Sequence, residues 1–138
     1  VLPLSLALAT VAMAAGKAPK AGTYEGTSSE KGPVTLRVAK GGVAVVSFKT
    51  AIGYDGKCGQ GGGPGFEPQV TNAPIKKGRF SATVTFKGEV PSIPSKKGKV
   101  TGRFSGSTVT GTVVIPSLKL QTGCLSYNET YSASWKHT

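Results

Sequence analysis

The feature that most constrains this chain is an alternation of β-branched or aromatic residues with polar ones, renewed along most of its length. From residue 15 to 138 there are 12 Val and 14 Thr against 4 Leu. β-Branched side chains suit a pleated sheet and lose rotamer freedom in a helix. No window keeps apolar spacing of three and four, whereas alternation by two is plain. Such a chain builds strands.

In Pro33–Lys40, Val34, Leu36 and Val38 point one way and Thr35 and Arg37 the other. A Lys40-Gly41-Gly42 turn feeds Val43–Thr50, which reads as the second arm of a hairpin. Val43 and Val45 fall on one face there, Val46 and Phe48 on the other, as in a central strand. In Arg79–Lys87, Phe80, Ala82, Val84 and Phe86 face inward, and Ser81, Thr83, Thr85 and Lys87 face out. Lys99–Ser105 turns Val100 and Phe104 inward and Lys99, Thr101 and Arg103 outward. Gly106-Ser107 is a two-residue turn led by Gly. It returns the chain into Thr108–Ile115, with Val109, Val113 and Ile115 inward and Thr108, Thr110 and Thr112 outward. Tyr131, Ala133 and Trp135 share a face at the end, and Thr23–Ser28 and Phe66–Thr71 are weaker strands. The strands, their turns and the lack of helix predict an all-β, antiparallel β-sandwich with jelly-roll or Greek-key connections; a small closed β-barrel is the alternative. Gly78-Arg79-Phe80-Ser81 recurs as Gly102-Arg103-Phe104-Ser105, each after or within a Lys-Lys-Gly stretch, and reads as two similar edge strands.

Val1 to Ala14 is uncharged, rich in Leu, Ala and Val, and closes on Ala12-Met13-Ala14. That is the pattern of a signal peptide with an A-x-A cleavage site, too short to span a bilayer. Residues 15–21 read as a flexible leader and 22–138 as one all-β domain. The expectation is a secreted protein with no membrane span. In an oxidising destination, Cys58 and Cys124 are expected to form a disulfide. On the chain-entropy account, closing so long a loop stabilises by roughly 4 kcal/mol.

Gly22-Thr23-Tyr24-Glu25-Gly26-Thr27-Ser28-Ser29 resembles the G-x-Y-x-G-x-T-S start of an uncharacterised family of small secreted actinobacterial all-β proteins. Val100 to Gly106, Thr110 to Val113, the two cysteines and the Ser132-Ala133-Ser134-Trp135 end are similar as well. The resemblance covers most of residues 22–136 and implies export, an all-β fold and the cysteine pair. It implies no active site. The chain departs from it in a longer Gly-rich loop, Asp55 to Gly65.

That loop lacks the Gly-Lys-Ser/Thr and the following helix of a phosphate-binding P-loop. It reads as a surface loop tethered at Cys58, open to a recognition role. The acids are Glu25, Glu30, Asp55, Glu67, Glu89 and Glu129. Each reads as a solvated partner for a lysine, although Asp55 and Glu67 could meet as the carboxylate pair a glycosidase needs. The single His and scattered acids give no metal site, and no cofactor or catalytic residue is expected. Asn128-Glu129-Thr130 is a glycosylation sequon, relevant only in a host that uses it.

Charge is the strongest remaining signal, 17 Lys+Arg against 6 Asp+Glu, net +11. Lys76, Lys77 and Arg79 form one cluster, and Lys96, Lys97, Lys99 and Arg103 another. Such a surface attracts acidic polymers: teichoic acid, acidic polysaccharide or extracellular nucleic acid. The plainer readings are solubility and protection of sheet edges by lysine. Nucleic acid is the weaker partner, because Phe80, Phe86 and Phe104 face inward and leave few rings for base stacking. The expectation is a non-catalytic binding or accessory domain for a cell-wall or extracellular anionic polymer. The alternatives are an enzyme inhibitor presenting the Gly-rich loop and a small hydrolase.

Overall fold

The computed structural model describes residues 18–29, 31–50, 52–53, 65–88, 95–116 and 126–138. Among them, strands run β1 (Gly22–Ser28), β2 (Pro33–Val38), β3 (Ala44–Thr50), β4 (Ile52–Gly53), β5 (Gly65–Pro68), β6 (Ala73–Pro74), β7 (Arg79–Gly88), β8 (Lys96–Ser105), β9 (Thr108–Pro116) and β10 (Ser126–His137). The one helical element described is a 3-10 turn, Lys40–Gly42. All pairings are antiparallel, in one sheet ordered β4-β5-β7-β8-β9-β10-β1-β2-β3-β6.

The all-β class is as the alternation predicts. The layout is a single curled antiparallel sheet forming a half-barrel, which fits the barrel alternative in part and does not confirm the sandwich. β3 pairs with β2, while β4, starting two residues after β3 ends, pairs with β5. One run of chain thus serves both sides of the curl, and β3 comes close to β5 and β6 to β7. Rings meet across the concave side. Phe48 of β3 packs edge-on against Tyr131 of β10 at 5.0 Å between centroids, and Tyr24 of β1 against Phe104 of β8 at 5.4 Å. In each case two strands separate the partners in the sheet, so the contact needs strong curvature.

Two inward-facing glycines make room for that filling. Gly102 and Gly111 are register partners on β8 and β9. A Cβ at Gly102 would strike the Phe80 ring, and one at Gly111 the Thr101 carbonyl; either would lie 2.7 Å from the Tyr131 hydroxyl. That hydroxyl donates to the Thr101 carbonyl at 2.7 Å. Burial pushes the Tyr131 phenol well above its usual range. The folded state therefore holds this proton more tightly than the unfolded one does. Its contribution is complete below the ordinary tyrosine value of about 10 and is lost as pH rises beyond it. Tyr131→Phe should lower stability by about 1 kcal/mol at neutral pH. It should also flatten the fall in Tm between pH 9 and 11.5, checked by thermal melts across that series.

The inward faces of β2, β7, β8 and β9 are those the alternation predicts: Val34, Leu36, Val38, Phe80, Val84, Phe86, Val100, Val109, Val113 and Ile115 are buried. β3 differs. Val38 pairs with Val45 and Arg37 with Ser47, so Val46 is the extra residue of a β-bulge. The bulge turns Val45 and Phe48 to the same, inner side, where both are buried. Val46 is half-buried and Val43 is 61% exposed. Between β8 and β9, Gly106 takes φ 60°, as a Gly-led hairpin turn requires.

The last described stretch of the expected leader lies against the sheet. Pro19 is buried, the Trp135 indole N–H donates to the Ala21 carbonyl at 3.0 Å, and the Lys20 ammonium sits 4.5 Å from the Trp135 ring centroid. Tyr24 donates its hydroxyl proton to the Lys20 carbonyl at 2.8 Å. Among the described residues no helix is long and apolar enough to cross a membrane.

Candidate functional site

Outward positions on β7 and β8 alternate with the core residues just named, and pairing places them side by side. Arg79 stands opposite Arg103, Ser81 opposite Thr101, Thr83 opposite Lys99 and Thr85 opposite Lys97. Arg79, Lys97, Lys99 and Arg103 are all exposed. Arg103 and Lys97 are six residues apart on one face, about 20 Å along the strand. The two clusters seen in the sequence thus meet on one surface.

The turn before β7 extends that surface. Lys76 and Arg79 exchange backbone hydrogen bonds, N–H of Lys76 to the Arg79 carbonyl at 2.8 Å and the reverse at 3.0 Å. Lys77 and Gly78 close the turn with φ 53° and 73°. Lys76, Arg79 and Arg103 therefore hold three successive register positions across the sheet. The same row continues through Thr110 on β9, Ser132 on β10 and Thr27 on β1. A second row, Ser81, Thr101, Thr112 and Thr130, runs beside it. Thr101 and Thr112 share a hydroxyl–hydroxyl hydrogen bond of 2.7 Å.

These rows border two adjoining open hollows. One, of about 650 Å³, is lined by Lys76, Arg79, Ser81, Thr101, Arg103 and Thr110 together with Pro74, Phe80 and the Gly102–Gly111 backbone. The other, of about 570 Å³, is lined by Ser and Thr of β1, β9 and β10 together with Ser29 and Tyr131, and shares Thr110 and Gly111 with the first. Among the described residues neither has a carboxylate in its lining. Among the described register partners, Arg79, Lys97, Lys99 and Arg103 face Thr, Val, Lys76 or one another. Like charges placed directly opposite weaken a sheet, and Arg79 stands directly opposite Arg103.

Two members of the sequence clusters lie apart from this face. Lys96 pairs with Phe86 and falls in the inward parity of Gly98 and Val100, where it is half-buried. Lys77, at the tip of its turn, is exposed and lines neither hollow. Lys87 shares the outward face but stands opposite Glu67. The parity of Lys96 is visible once the strand is extended back from Val100.

Glu129 departs from the expected solvated acid. It is 2% exposed, on the inward face of β10 opposite Val113. Stepping back by two from Tyr131 along the predicted face would have found it. Its neighbour Asn128, of the sequon, is exposed. β7 and β8 are interior strands, each paired on both sides, so the repeated Gly-Arg-Phe-Ser does not mark sheet edges. Phe80 and Phe86 are buried and Phe104 packs against the core. Cys58, Cys124 and Asp55, with most of the Gly-rich loop, lie outside the described residues, and so do the expected disulfide, the inhibitor loop and the Asp55 half of the carboxylate pair, whose Glu67 is exposed opposite Lys87.

Comparison with known proteins returns no match: no family, no curated protein and no solved structure.

Proposed function

We propose that this is an exported, non-catalytic binding domain whose cationic outer face takes an anionic polymer of the cell envelope or extracellular space. The observation that carries the reading is Arg79 standing opposite Arg103 on interior strands, with Lys97 and Lys99 on the same side and no acid opposite any of them. Edge protection does not account for these cations, because β7 and β8 are not edges. An extended anion can lie along β8 and meet Arg103, Lys99 and Lys97 in turn. The apolar start of the chain and the resemblance to small secreted β proteins support export, and export supports a Cys58–Cys124 disulfide. The fold that suits the reading is a small barrel, closed through the run that β3 and β4 share, which presents its outer surface as a rigid platform. The three cations on β8 act together as one binding strip.

The test is retention of the protein on isolated envelope and extracellular material at low salt. Lys97→Gln, Lys99→Gln and Arg103→Gln combined should abolish most retention and leave the unfolding free energy within about 1 kcal/mol of the parent's, since exposed charges contribute little to folding. Undiminished retention of the triple variant would overturn the reading.

A further inference from the structure

The cationic face is not uniform, and its unevenness says what kind of anion fits. Three cations are crowded at one end of a cross-strand row, at Lys76, Arg79 and Arg103, and the rest of that row is hydroxyl only. Adjacent strands are about 4.8 Å apart, so the six positions from Lys76 to Thr27 span about 24 Å. Both hollows follow this line and join at Thr110 and Gly111. A carboxylate has two oxygens to offer. A phosphate ester has at least two free oxygens and up to two charges, and guanidinium forks match its geometry bidentately. Uncharged Thr and Ser hydroxyls both donate and accept, which suits the hydroxyls of a sugar or polyol.

We propose that Lys76, Arg79 and Arg103, with the Thr110 hydroxyl beside them, seat the phosphate group of a hydroxyl-rich chain. Its sugar or polyol units lie along the Ser132 and Thr27 positions that continue the row. This rests on the reading that the outer face binds anions, and it names the chemical class of the anion. The seat lies across the strands, while Lys97 and Lys99 lie along β8, so the two parts can be tested apart.

The experiment titrates isotopically labelled protein with glycerol 1-phosphate, with glycerol, acetate and sulfate as separate comparators. Amide signals of residues 76, 79, 103, 110 and 132 should move with glycerol 1-phosphate. Acetate and glycerol should leave them nearly in place, and sulfate should move the first three but not residue 132. Arg79→Gln should weaken glycerol 1-phosphate binding at least tenfold, and Arg103→Lys, which keeps the charge but loses the fork, by less. Without ligand, Arg79→Gln should melt at or above the parent temperature, because it relieves a like-charge pair. The ligand should raise the parent's melting temperature more than the variant's. Equal affinity in parent and Arg79→Gln, or acetate binding as well as glycerol 1-phosphate, would overturn the seat. If Arg79→Gln leaves polymer retention unchanged while Lys97→Gln with Lys99→Gln reduces it, the seat fails and the polymer reading stands. If the parent protein retains no anionic polymer at low salt, that reading fails as well.

Discussion

Replacing Gly111 by alanine is expected to destabilise the protein by about 3 kcal/mol or more, beyond the common cost of an added core methyl. The added Cβ would meet the Thr101 carbonyl of the neighbouring strand and the Tyr131 hydroxyl, both fixed in place. The carbonyl belongs to the β8–β9 ladder, and the hydroxyl is bound to that same carbonyl. Neither can yield without disturbing the β8–β9 pairing. A fall in Tm on the order of 10 °C should follow for a domain of this size. Gly106→Ala is the matched comparison. Gly106 sits at φ 60° with nothing within 4 Å of an added Cβ, so only backbone strain is at stake. That strain is about 1 kcal/mol. Chemical denaturation of the two variants checks the contrast. A loss at Gly111 no larger than at Gly106 would mean the inner face is less tightly filled than described.

The second large effect is on binding. Four exposed cations, Arg79, Lys97, Lys99 and Arg103, lie on adjacent strands of one face. If each displaces one condensed counterion from the polymer, affinity should fall about a hundredfold between 50 and 200 mM salt, by analogy with nucleic acid. The triple Gln variant should lose most of this slope as well as affinity at every salt concentration, because three of the four contacts are gone. Equilibrium binding to a soluble anionic polymer across a salt series measures both. A salt-independent interaction would point to recognition of neutral sugar instead.

Strand positions and their inward faces were legible because the alternation is nearly unbroken in β2, β7, β8 and β9. β3 was not, since a bulge puts Val45 and Phe48 on one side although their spacing of three reads as two faces. The curl of the sheet was not legible either. Alternation is the same in a sandwich and a barrel. The choice depends on which distant strands meet, and the sheet is curled enough to bring Phe48 of β3 against Tyr131 of β10. The repeated Gly-Arg-Phe-Ser hinted at a shared cationic surface. It could not show that antiparallel register sets Arg79 directly against Arg103, nor that the turn at Lys77 and Gly78 carries Lys76 into the same row. Lys96 and Glu129 were readable by parity and lay just beyond the predicted strand ends.

On the proposed reading, the outer face of β7 and β8 is the binding surface. Mapping backbone amide shifts of the labelled protein as a soluble anionic oligomer is added at low salt tests it most directly. Saturable shifts centred on residues 76–85, 97–103 and 110–112, extending along the row to 132 and 27 and vanishing at high salt, are expected. Shifts confined to other surfaces, or none at low salt, would contradict it.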